Sequence, residues 1–326
     1  MKNIAILIPQ GLTSISNIEN TYIIFSHVNG ILASKGQVPL FNVQLVGLNM
    51  PAAGDRTRFA AKPDVLYTDV EHTDLIIIPA LIGNPDHCIA LNREFIPWIK
   101  QQRQNGAEIA SYCVGAFFLA ATGLLNGKQC ATHWFSANSF RQMFPEVSLV
   151  DDKIMTEDDG IYTSGGANSY FNLLVYLVEK FAGREIAVLI AKTYMIDIDR
   201  TSQSPFIIFL GQKEHDDQPV KKAQLYIEDN IDKKITVQEL ADLGALSRRS
   251  LERRFKQSTG NSINQYIQRV KIEVAKKDFE SNRKNINEVM FSVGYTDTKG
   301  FRNVFKKVTG LSPVDYRKKY NKTFGG

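Results

Sequence analysis

The first two thirds of the chain alternate between short, continuous apolar runs and longer stretches with helical periodicity. A continuous apolar run bounded by turn residues is typical of a strand buried on both faces of a parallel sheet. Such runs predict strands at residues 3–8, 41–47, 74–79, 107–112 and 161–164. The periodic stretches predict helices at residues 17–33, 92–104, 168–181 and 184–194. Strands alternating with helices indicate an α/β fold with a doubly wound, flavodoxin-like parallel sheet.

Beyond residue 235 the pattern predicts helices alone. The same residue pattern occurs there twice, at a fixed offset of fifty residues. Self-similarity at a fixed offset marks a duplicated structural unit. The matching pairs are Gly244 and Gly294, Phe255 and Phe305, Lys256 and Lys306, Thr259 and Thr309, Gly260 and Gly310, Ser262 and Ser312, and Tyr266 and Tyr316.

Each copy has the pattern of a helix-turn-helix. A first apolar helix ends near Gly244 or Gly294, and Ser247 or Asp297 can cap the second helix. The apolar stripes of the second helices are Leu251 with Phe255 and Phe301 with Phe305. Ser262 can cap a helix over residues 263–279 that joins the copies. We therefore predict an all-α domain with two helix-turn-helix units.

The second helices are rich in cations on the side away from their apolar stripes. The cations are Arg248, Arg249, Arg253, Arg254 and Lys256 in the first copy and Lys299, Arg302, Lys306 and Lys307 in the second. Such a helix can enter a DNA major groove. A rigid joining helix would place the two helices in grooves about 34 Å apart, so that one chain reads two adjacent sub-sites. The alternative is that these charges only solvate exposed helices.

Residues 235–317, through the closing segment Gly310 to Arg317, closely resemble the AraC/XylS transcription regulators. By position, the resemblance implies that Arg249, Arg253, Lys299 and Asn303 read bases. It implies that Arg248, Thr298 and Arg302 contact phosphates instead. The chain departs from the family at Gly300, where many relatives carry a side chain.

The charge is divided unevenly along the chain. The net charge is +5, but residues 212–326 hold 24 Lys and Arg against 15 Asp and Glu, while residues 1–211 hold 15 against 19. Only the basic end is suited to a polyanion. No apolar run approaches the length of a membrane span, and Met1 begins a strand rather than a signal peptide. Three cysteines fit a reduced cytoplasm better than a disulfide scaffold.

A candidate chemical site lies where the strand at 107–112 meets the helix that follows it. Cys113, with Gly115 two residues later, has the pattern of a nucleophile elbow, which places a sulfur at a helix N-terminus. His133 is a partner that the fold could bring close. Gly165 and Gly166 precede another helix and could form an anion-binding turn. The alternatives are an inert Cys113, a core histidine and a plain strand-to-helix connection.

The segments 110–134 and 163–183 resemble the PfpI-like class I glutamine amidotransferase superfamily. They resemble most the GlxA-type regulators, which join such a domain to an AraC-type tail. The resemblance implies that Cys113 is the nucleophile or redox-sensitive cysteine and that His133 is its partner. Where catalytic relatives carry an acidic residue this chain has Asn17, and an amide cannot act as a general base. We therefore expect no enzyme activity.

These observations favour a DNA-binding transcription regulator with three parts. We expect a sensor and dimerisation domain at 1–205, a linker at 206–219 and a DNA-binding domain at 220–326. The expected partners are promoter DNA, a small-molecule effector and a second copy of the chain, with RNA polymerase as a further candidate. The expected ligand residues are Asn17, Cys113, His133, Gly165 and Gly166.

Two other functions remain open at this stage. One is a Cys113-dependent hydrolase or hydratase, and the other is a redox sensor that oxidises at Cys113. We expect no membrane contact and no cofactor. We also expect no metal site, because the histidines show no metal-ligand spacing with cysteines or carboxylates.

Overall fold

The computed structural model describes residues 1–50, 60–281 and 284–321. It divides the chain into two compact units, Met1–Gln203 and Ser204–Gly326.

The first unit is built on a twisted sheet whose strands are mostly parallel. The strands of this unit are β1 (Lys2–Ile8), β2 (Phe41–Gly47), β3 (Val65–Leu66), β4 (Leu75–Ile78), β5 (Glu108–Tyr112), β6 (Gln129–Cys130), β7 (Ser148–Leu149), β8 (Met155–Asp158) and β9 (Ile161–Ser164). Within the described residues the main sheet has the order β3-β2-β1-β4-β5-β9-β8, and only β8 and β9 pair antiparallel. β6 and β7 form a separate parallel pair.

Helices cover both faces of this sheet. They are α1 (Ile15–Ser34), α2 (Pro85–Leu91), α3 (Phe95–Gln104), α4 (Gly115–Ala121), α5 (Ala137–Met143), α6 (Tyr170–Ala182) and α7 (Arg184–Thr193). Successive residues of a strand point to opposite faces, and β1 shows this directly. Ile4 and Ile6 pack with α1, α6 and α7, while Ala5 and Leu7 pack with the helices of the other face. The doubly wound α/β prediction is confirmed.

The second unit contains helices only, within the described residues. They are α8 (Gln218–Asp229), α9 (Val237–Leu243), α10 (Arg248–Thr259), α11 (Ile263–Ser281), α12 (Ile286–Ser292), α13 (Thr298–Thr309) and α14 (Pro313–Tyr320). We call α8–α10 the first module and α12–α14 the second module. Each module contains a helix-turn-helix, α9–α10 or α12–α13, and α11 joins the two.

The two modules have separate apolar cores. The first core gathers Leu240, Leu251 and Phe255 with residues of α11 as far as Val270. The second gathers Val289, Phe301 and Phe305 with residues of α11 from Ile272 onward. Both predicted stripes are therefore buried, and α11 contributes to both cores in turn.

The fifty-residue repeat in the sequence is also a repeat in structure, because α10 and α13 end in the same way. Gly260 and Gly310 end α10 and α13 in the left-handed conformation, with φ of 70° and 74°. The hydroxyls of Thr259 and Thr309 donate to the carbonyls of Phe255 and Phe305, at 2.7 and 2.8 Å. Left-handed residues favour glycine because it lacks a Cβ. The same three residue types therefore close both helices.

Residues 204–211, which we call the lead-in segment, pack against both modules of the second unit. At one end, the hydroxyl of Tyr320 donates to the carbonyl of Pro205 at 3.0 Å. In the middle, a buried ion pair of Lys276 and Glu273 on α11 holds the backbone, because Lys276 donates to the Ile207 carbonyl and Glu273 accepts from the Phe209 amide. At the other end, the ring of Phe209 lies 5.1 Å from that of Tyr266.

Candidate nucleic-acid interface and ligand site

The second helix of each helix-turn-helix, α10 and α13, begins at a side-chain cap. The hydroxyl of Ser247 accepts from the amide of Ser250 at 3.2 Å. The carboxylate of Asp297 accepts from the amides of Lys299 and Gly300, at 3.1 and 2.6 Å. A cap satisfies amides that the helix itself leaves unpaired. Both predicted caps are present, so the first turn of each helix, which carries Arg249 or Lys299, is fixed. The other predicted base readers, Arg253 and Asn303, lie one turn further along.

The two helices present the same pattern of exposure, residue by residue. Positions 251–260 and 301–310 have identical sequences of buried, half-buried and exposed residues. The exposed positions between the stripes are Glu252, Arg253, Lys256 and Gln257 on α10 and Arg302, Asn303, Lys306 and Lys307 on α13. Each helix therefore buries one apolar face in its own module and leaves a polar face uncovered there, with two cations among these four positions on α10 and three on α13.

Some of the predicted cations already have partners within the second unit. Arg248 pairs with Glu252 at 3.1 Å, and Arg254 pairs with Asp217 at 2.7 Å. Lys256 donates to the carbonyl of Gly260. Among the described residues, the side chains of Arg249, Arg253, Lys299, Arg302 and Asn303 make no ion pair and no hydrogen bond. All five are exposed, so their polar atoms are available to DNA.

The departure at Gly300 has a local steric reason. A Cβ at this position would lie 2.6 Å from the Oδ2 atom of Asp297, which is the cap of the same helix. A larger residue at 300 would require the carboxylate of Asp297 to shift. Glycine at 300 thus leaves room for the capping carboxylate, and the neighbouring Lys299 is exposed while Thr298 is half-buried.

In the first unit, Cys113 lies in a strained turn between β5 and α4. Its φ is +53°, an uncommon value for a residue with a side chain. Its amide donates to the Ser164 carbonyl at 3.0 Å, and its carbonyl accepts from the Thr132 hydroxyl at 2.9 Å. A Cβ on Gly115 would lie 2.5 Å from the Pro79 carbonyl oxygen. The predicted elbow geometry is thus present, and glycine is needed at its second following position.

Burial disfavours the charged forms of both the Cys113 thiol and the His133 ring. Cys113 is 8% exposed, and burial raises the pKa of its thiol to about 11. Burial also lowers the pKa of His133, whose Nδ1 accepts from the Phe135 amide at 3.1 Å. Among the described residues no hydrogen bond joins Cys113 to His133. Burial therefore opposes the thiolate that a helix N-terminus would favour.

A residue that the sequence analysis missed, Gln203, fills the space beside Gly165 and Gly166. Its amide group donates to the carbonyls of Thr132 and Lys153, at 3.0 and 3.1 Å, and accepts from the amide of Gly166 at 2.9 Å. Gln203 is 1% exposed. The polar groups of this turn therefore already bind a side chain of the same unit.

The other predicted ligand residues lie at the same end of the sheet. Asn17 is buried, and its Oδ1 accepts from the amide of Ala80, which follows the Pro79 that contacts Gly115. A Cβ on Gly166 would lie 3.7 Å from the ring of His133. The hydroxyls of Ser164 and Ser169 are buried here without a hydrogen-bond partner among the described residues. The structure brings the predicted residues to the carboxyl ends of the strands, where ligands bind in such folds.

A cavity of about 530 Å³ lies elsewhere in the first unit. Its apolar walls include Ile154, Val175 and Ile198, and its polar groups include Asn172 and Tyr176. None of the five predicted ligand residues lines it. Its wall at residues 198–202 is held by backbone and side-chain hydrogen bonds, including that from Ser202 to the Asp152 carbonyl. Within the described residues, no cluster of three potential ligands could hold a metal ion, and no helix is long and apolar enough to span a membrane.

An α/β unit with a strained elbow, followed by two helix-turn-helix modules, defines a two-domain protein of a recognisable class. The family model of the DJ-1/PfpI family matches residues 39–180, and that of a helix-turn-helix domain matches residues 240–319. The chain thus carries a DJ-1/PfpI-family domain followed by an AraC/XylS-type helix-turn-helix domain. The predicted resemblance is confirmed.

The chain is similar to two named transcriptional regulators over about two thirds of their length. The chain is 25% identical over 256 residues to the HTH-type transcriptional regulator GbdR of Pseudomonas aeruginosa, covering 78% of this chain and 69% of that one. It is 23% identical over 215 residues to the regulator GlxA of Rhizobium meliloti, covering 66% of each. A solved Vibrio parahaemolyticus structure covers 60% of this chain and 98% of its own, with a TM-score of 0.52 and 22% identity. That last likeness supports the fold alone.

Proposed function

We propose that the chain is a sequence-specific DNA-binding transcription regulator. The observation that carries the proposal is the duplicated module, with two capped helices that each present an uncovered cationic face. The relatives that match both parts of the chain are named as HTH-type transcriptional regulators. Two such helices on one chain suit two adjacent sub-sites in the major groove of double-stranded DNA.

The proposed division of labour on the two second helices, α10 and α13, is taken by position from the family resemblance, and the exposure of the proposed base readers supports it. Arg249, Arg253, Lys299 and Asn303 read base edges, and Arg248, Thr298 and Arg302 contact the backbone. To contact a phosphate, Arg248 must give up its ion pair with Glu252. That pair is exposed and therefore weak, so its loss costs little. Arg254 is left out of the interface, because Asp217 holds it within the first module.

The first experiment selects binding sites from a random DNA pool with the full-length chain. We expect one preferred sequence with two sub-sites and an affinity that falls steeply with salt, because Lys and Arg contacts to phosphates release counterions. Alanine at Lys299 should weaken binding, whereas alanine at Lys277, an exposed lysine of α11, should not change the sequence preference. A chain that binds all sequences equally at every salt concentration would not be a specific regulator.

The first domain is proposed to bind a small-molecule effector and to dimerise. The cavity of about 530 Å³ falls in the size range of ligand sites, and its wall at residues 198–202 lies a single residue before the second unit begins. The residues around Cys113 form an alternative location, supported by the partnerless hydroxyls of Ser164 and Ser169. Regulation through either site requires the effector to favour one state of the lead-in segment over another.

Ligand binding at the two locations can be separated by substitution. Val175→Trp fills the cavity, and Ser169→Val removes a hydroxyl at the sheet end. A thermal-shift screen with small polar metabolite analogues on the wild type and both variants shows which change abolishes a response.

Analytical ultracentrifugation of the full-length chain tests the dimer. The raised pKa and burial of Cys113 favour a binding role over hydrolysis, and RNA polymerase is a proposed further partner at the promoter.

A further inference from the structure

Helix α11 passes from one apolar core to the other at a single buried charge. Val270 is in the core of the first module and Ile272 is in the core of the second. Between them, Lys271 is 7% exposed. A buried lysine is rare without a specific partner, since an ammonium group loses its hydration on burial. The position of Lys271 therefore has to be explained by its contacts.

Those contacts join the two modules. The Nζ atom of Lys271 donates to the backbone carbonyl of Lys233, before α9 in the first module, at 3.1 Å. The same atom lies 5.6 Å from the ring centroid of Tyr295, in the turn of the second module. An ammonium group at this distance from an aromatic face is attracted to it. Lys271 thus touches the backbone of one module and the turn of the other.

The backbones of the modules also meet beside Lys271. Gly294, with φ of 72°, lies so close to the loop before α9 that an added Cβ would be 2.5 Å from the Asp232 carbonyl oxygen and 2.8 Å from the Lys271 Nζ. Gly294 is the glycine that ends α12 and leads into the recognition helix of the second module. Only a residue without a side chain permits this approach.

Beside Lys271 and Gly294, no apolar cluster among the described residues includes side chains of both modules. A cleft of about 490 Å³ separates the modules there, and its walls include Ile235, Ile267, Phe291 and Tyr295 as well as Lys271 and Gly294. Each module has an apolar core of its own. The angle between them therefore depends on α11 and on the contacts at Lys271 and Gly294, together with the lead-in segment.

We propose that Lys271 is a positioning residue that sets the relative orientation of α10 and α13, and so fixes the number of base pairs between the two DNA sub-sites. The proposal rests on the proposed function. One added base pair moves a sub-site by about 3.4 Å along the duplex and rotates it by about 35° around the axis. A junction held at several points cannot follow such a change, whereas a loosened junction can.

The test uses the full-length chain and the bipartite site that it selects. Duplexes are made with the natural spacing and with one base pair added or removed between the sub-sites, and affinities are measured for each. For the wild type we expect a loss of at least about tenfold on the altered spacings. For Lys271→Met, which lacks the donor, we expect the loss to shrink to about threefold or less. Lys271→Arg can still donate to the Lys233 carbonyl and should keep most of the penalty.

A matched control is Lys277→Met, an exposed lysine of the same helix, which should behave as the wild type. If Lys271→Met keeps the full spacing penalty, or weakens binding equally on all three duplexes, the inference is wrong while the proposed function stands. A wild type that selects no bipartite site overturns both. Should Lys271→Met not fold, Tyr295→Leu removes the ring that faces the ammonium group and must also reduce the penalty.

Discussion

Arg254 donates two hydrogen bonds to Asp217, with an Nε–Oδ2 distance of 2.7 Å and an Nη2–Oδ1 distance of 2.9 Å. The same carboxylate caps α8 by accepting from the Val220 amide. One cation of the first recognition helix therefore serves the fold of its own module, while its sequence neighbour Arg253 is exposed and has no such partner.

This pair predicts a contrast between adjacent arginines. Arg254→Ala should lower the melting temperature of the second unit and leave the sequence preference for DNA unchanged. Arg253→Ala should leave the melting temperature unchanged and weaken binding to the selected site. Circular dichroism melts and binding titrations on both variants check the contrast. Equal effects of the two substitutions on DNA would contradict the assignment of Arg254 to the fold.

The same pair predicts a pH dependence. The hydrogen bond from Arg254 lowers the pKa of Asp217, whereas the unfolded chain has an ordinary value of about 3.9. A lowered folded value means that the pair stabilises fully above the unfolded pKa and that this contribution is lost as the pH falls through the folded value. Asp217→Asn keeps a capping oxygen but loses the charge. Its melting temperature should therefore be below that of the wild type at pH 7 and approach it in strong acid.

The proposed base readers should affect specificity as well as affinity. Arg249→Ala and Lys299→Ala are each expected to lower affinity for the selected site by roughly five- to hundredfold and to relax preference at a few base pairs. A phosphate contact such as Arg302 should instead weaken all sequences alike and reduce the steepness of the salt dependence by about one unit. Repeating the DNA selection with each variant distinguishes the two classes. An unchanged selected sequence for Arg249→Ala would remove it from the base readers.

Cys113 should react slowly despite its elbow. Burial raises the pKa of its thiol to about 11, and the thiolate is the reactive form. Alkylation of the native chain should therefore have a midpoint well above the unperturbed value of about 8.5. Cys113→Ser supplies the background from Cys88 and Cys130, both also buried. A fast reaction with a midpoint below 8 would restore the hydrolase and redox-sensor hypotheses.

Gln203 should contribute to the stability of the first unit. Its side chain makes three hydrogen bonds to backbone groups, and Gln203→Ala would leave these groups unpaired at a cost of about 1–3 kcal/mol each at most. The control Gln101→Ala replaces an exposed glutamine of α3. Hydrogen exchange at the amide of Gly166, which donates to Gln203, locates the effect. Unchanged exchange there would show that the side chain of Gln203 does not hold the turn at Gly166.

The sequence allowed the helical half to be predicted in more detail than the sheet half. The caps Ser247 and Asp297, the stripe residues Phe255 and Phe305, and the extent of α11 all depend on neighbours within one or two turns. The two-residue strands β3, β6 and β7 carry no such local signal and were not predicted. The helix predicted at 92–104 is present as α3, whereas the short helix α2 before it was not predicted.

The candidate sites divide in the same way. Exposure of Arg249 and Lys299 follows from helical periodicity, and the elbow at Cys113 follows from a local pattern. Gln203 could not be found, because its partners Thr132, Lys153 and Gly166 are 37 to 71 residues away in the sequence. Burial of the Cys113 thiol likewise depends on packing that no neighbouring residue reveals.

Because the two modules have separate cores, the DNA sequence that each one reads can evolve independently. A substitution on α13 alters what the second module reads and leaves the packing of α10 untouched, because the two helices share no core residue. Half of an operator can therefore drift while the other half is still bound. A chain of this kind could therefore change its target sequence one sub-site at a time, while the other module still binds the original sub-site.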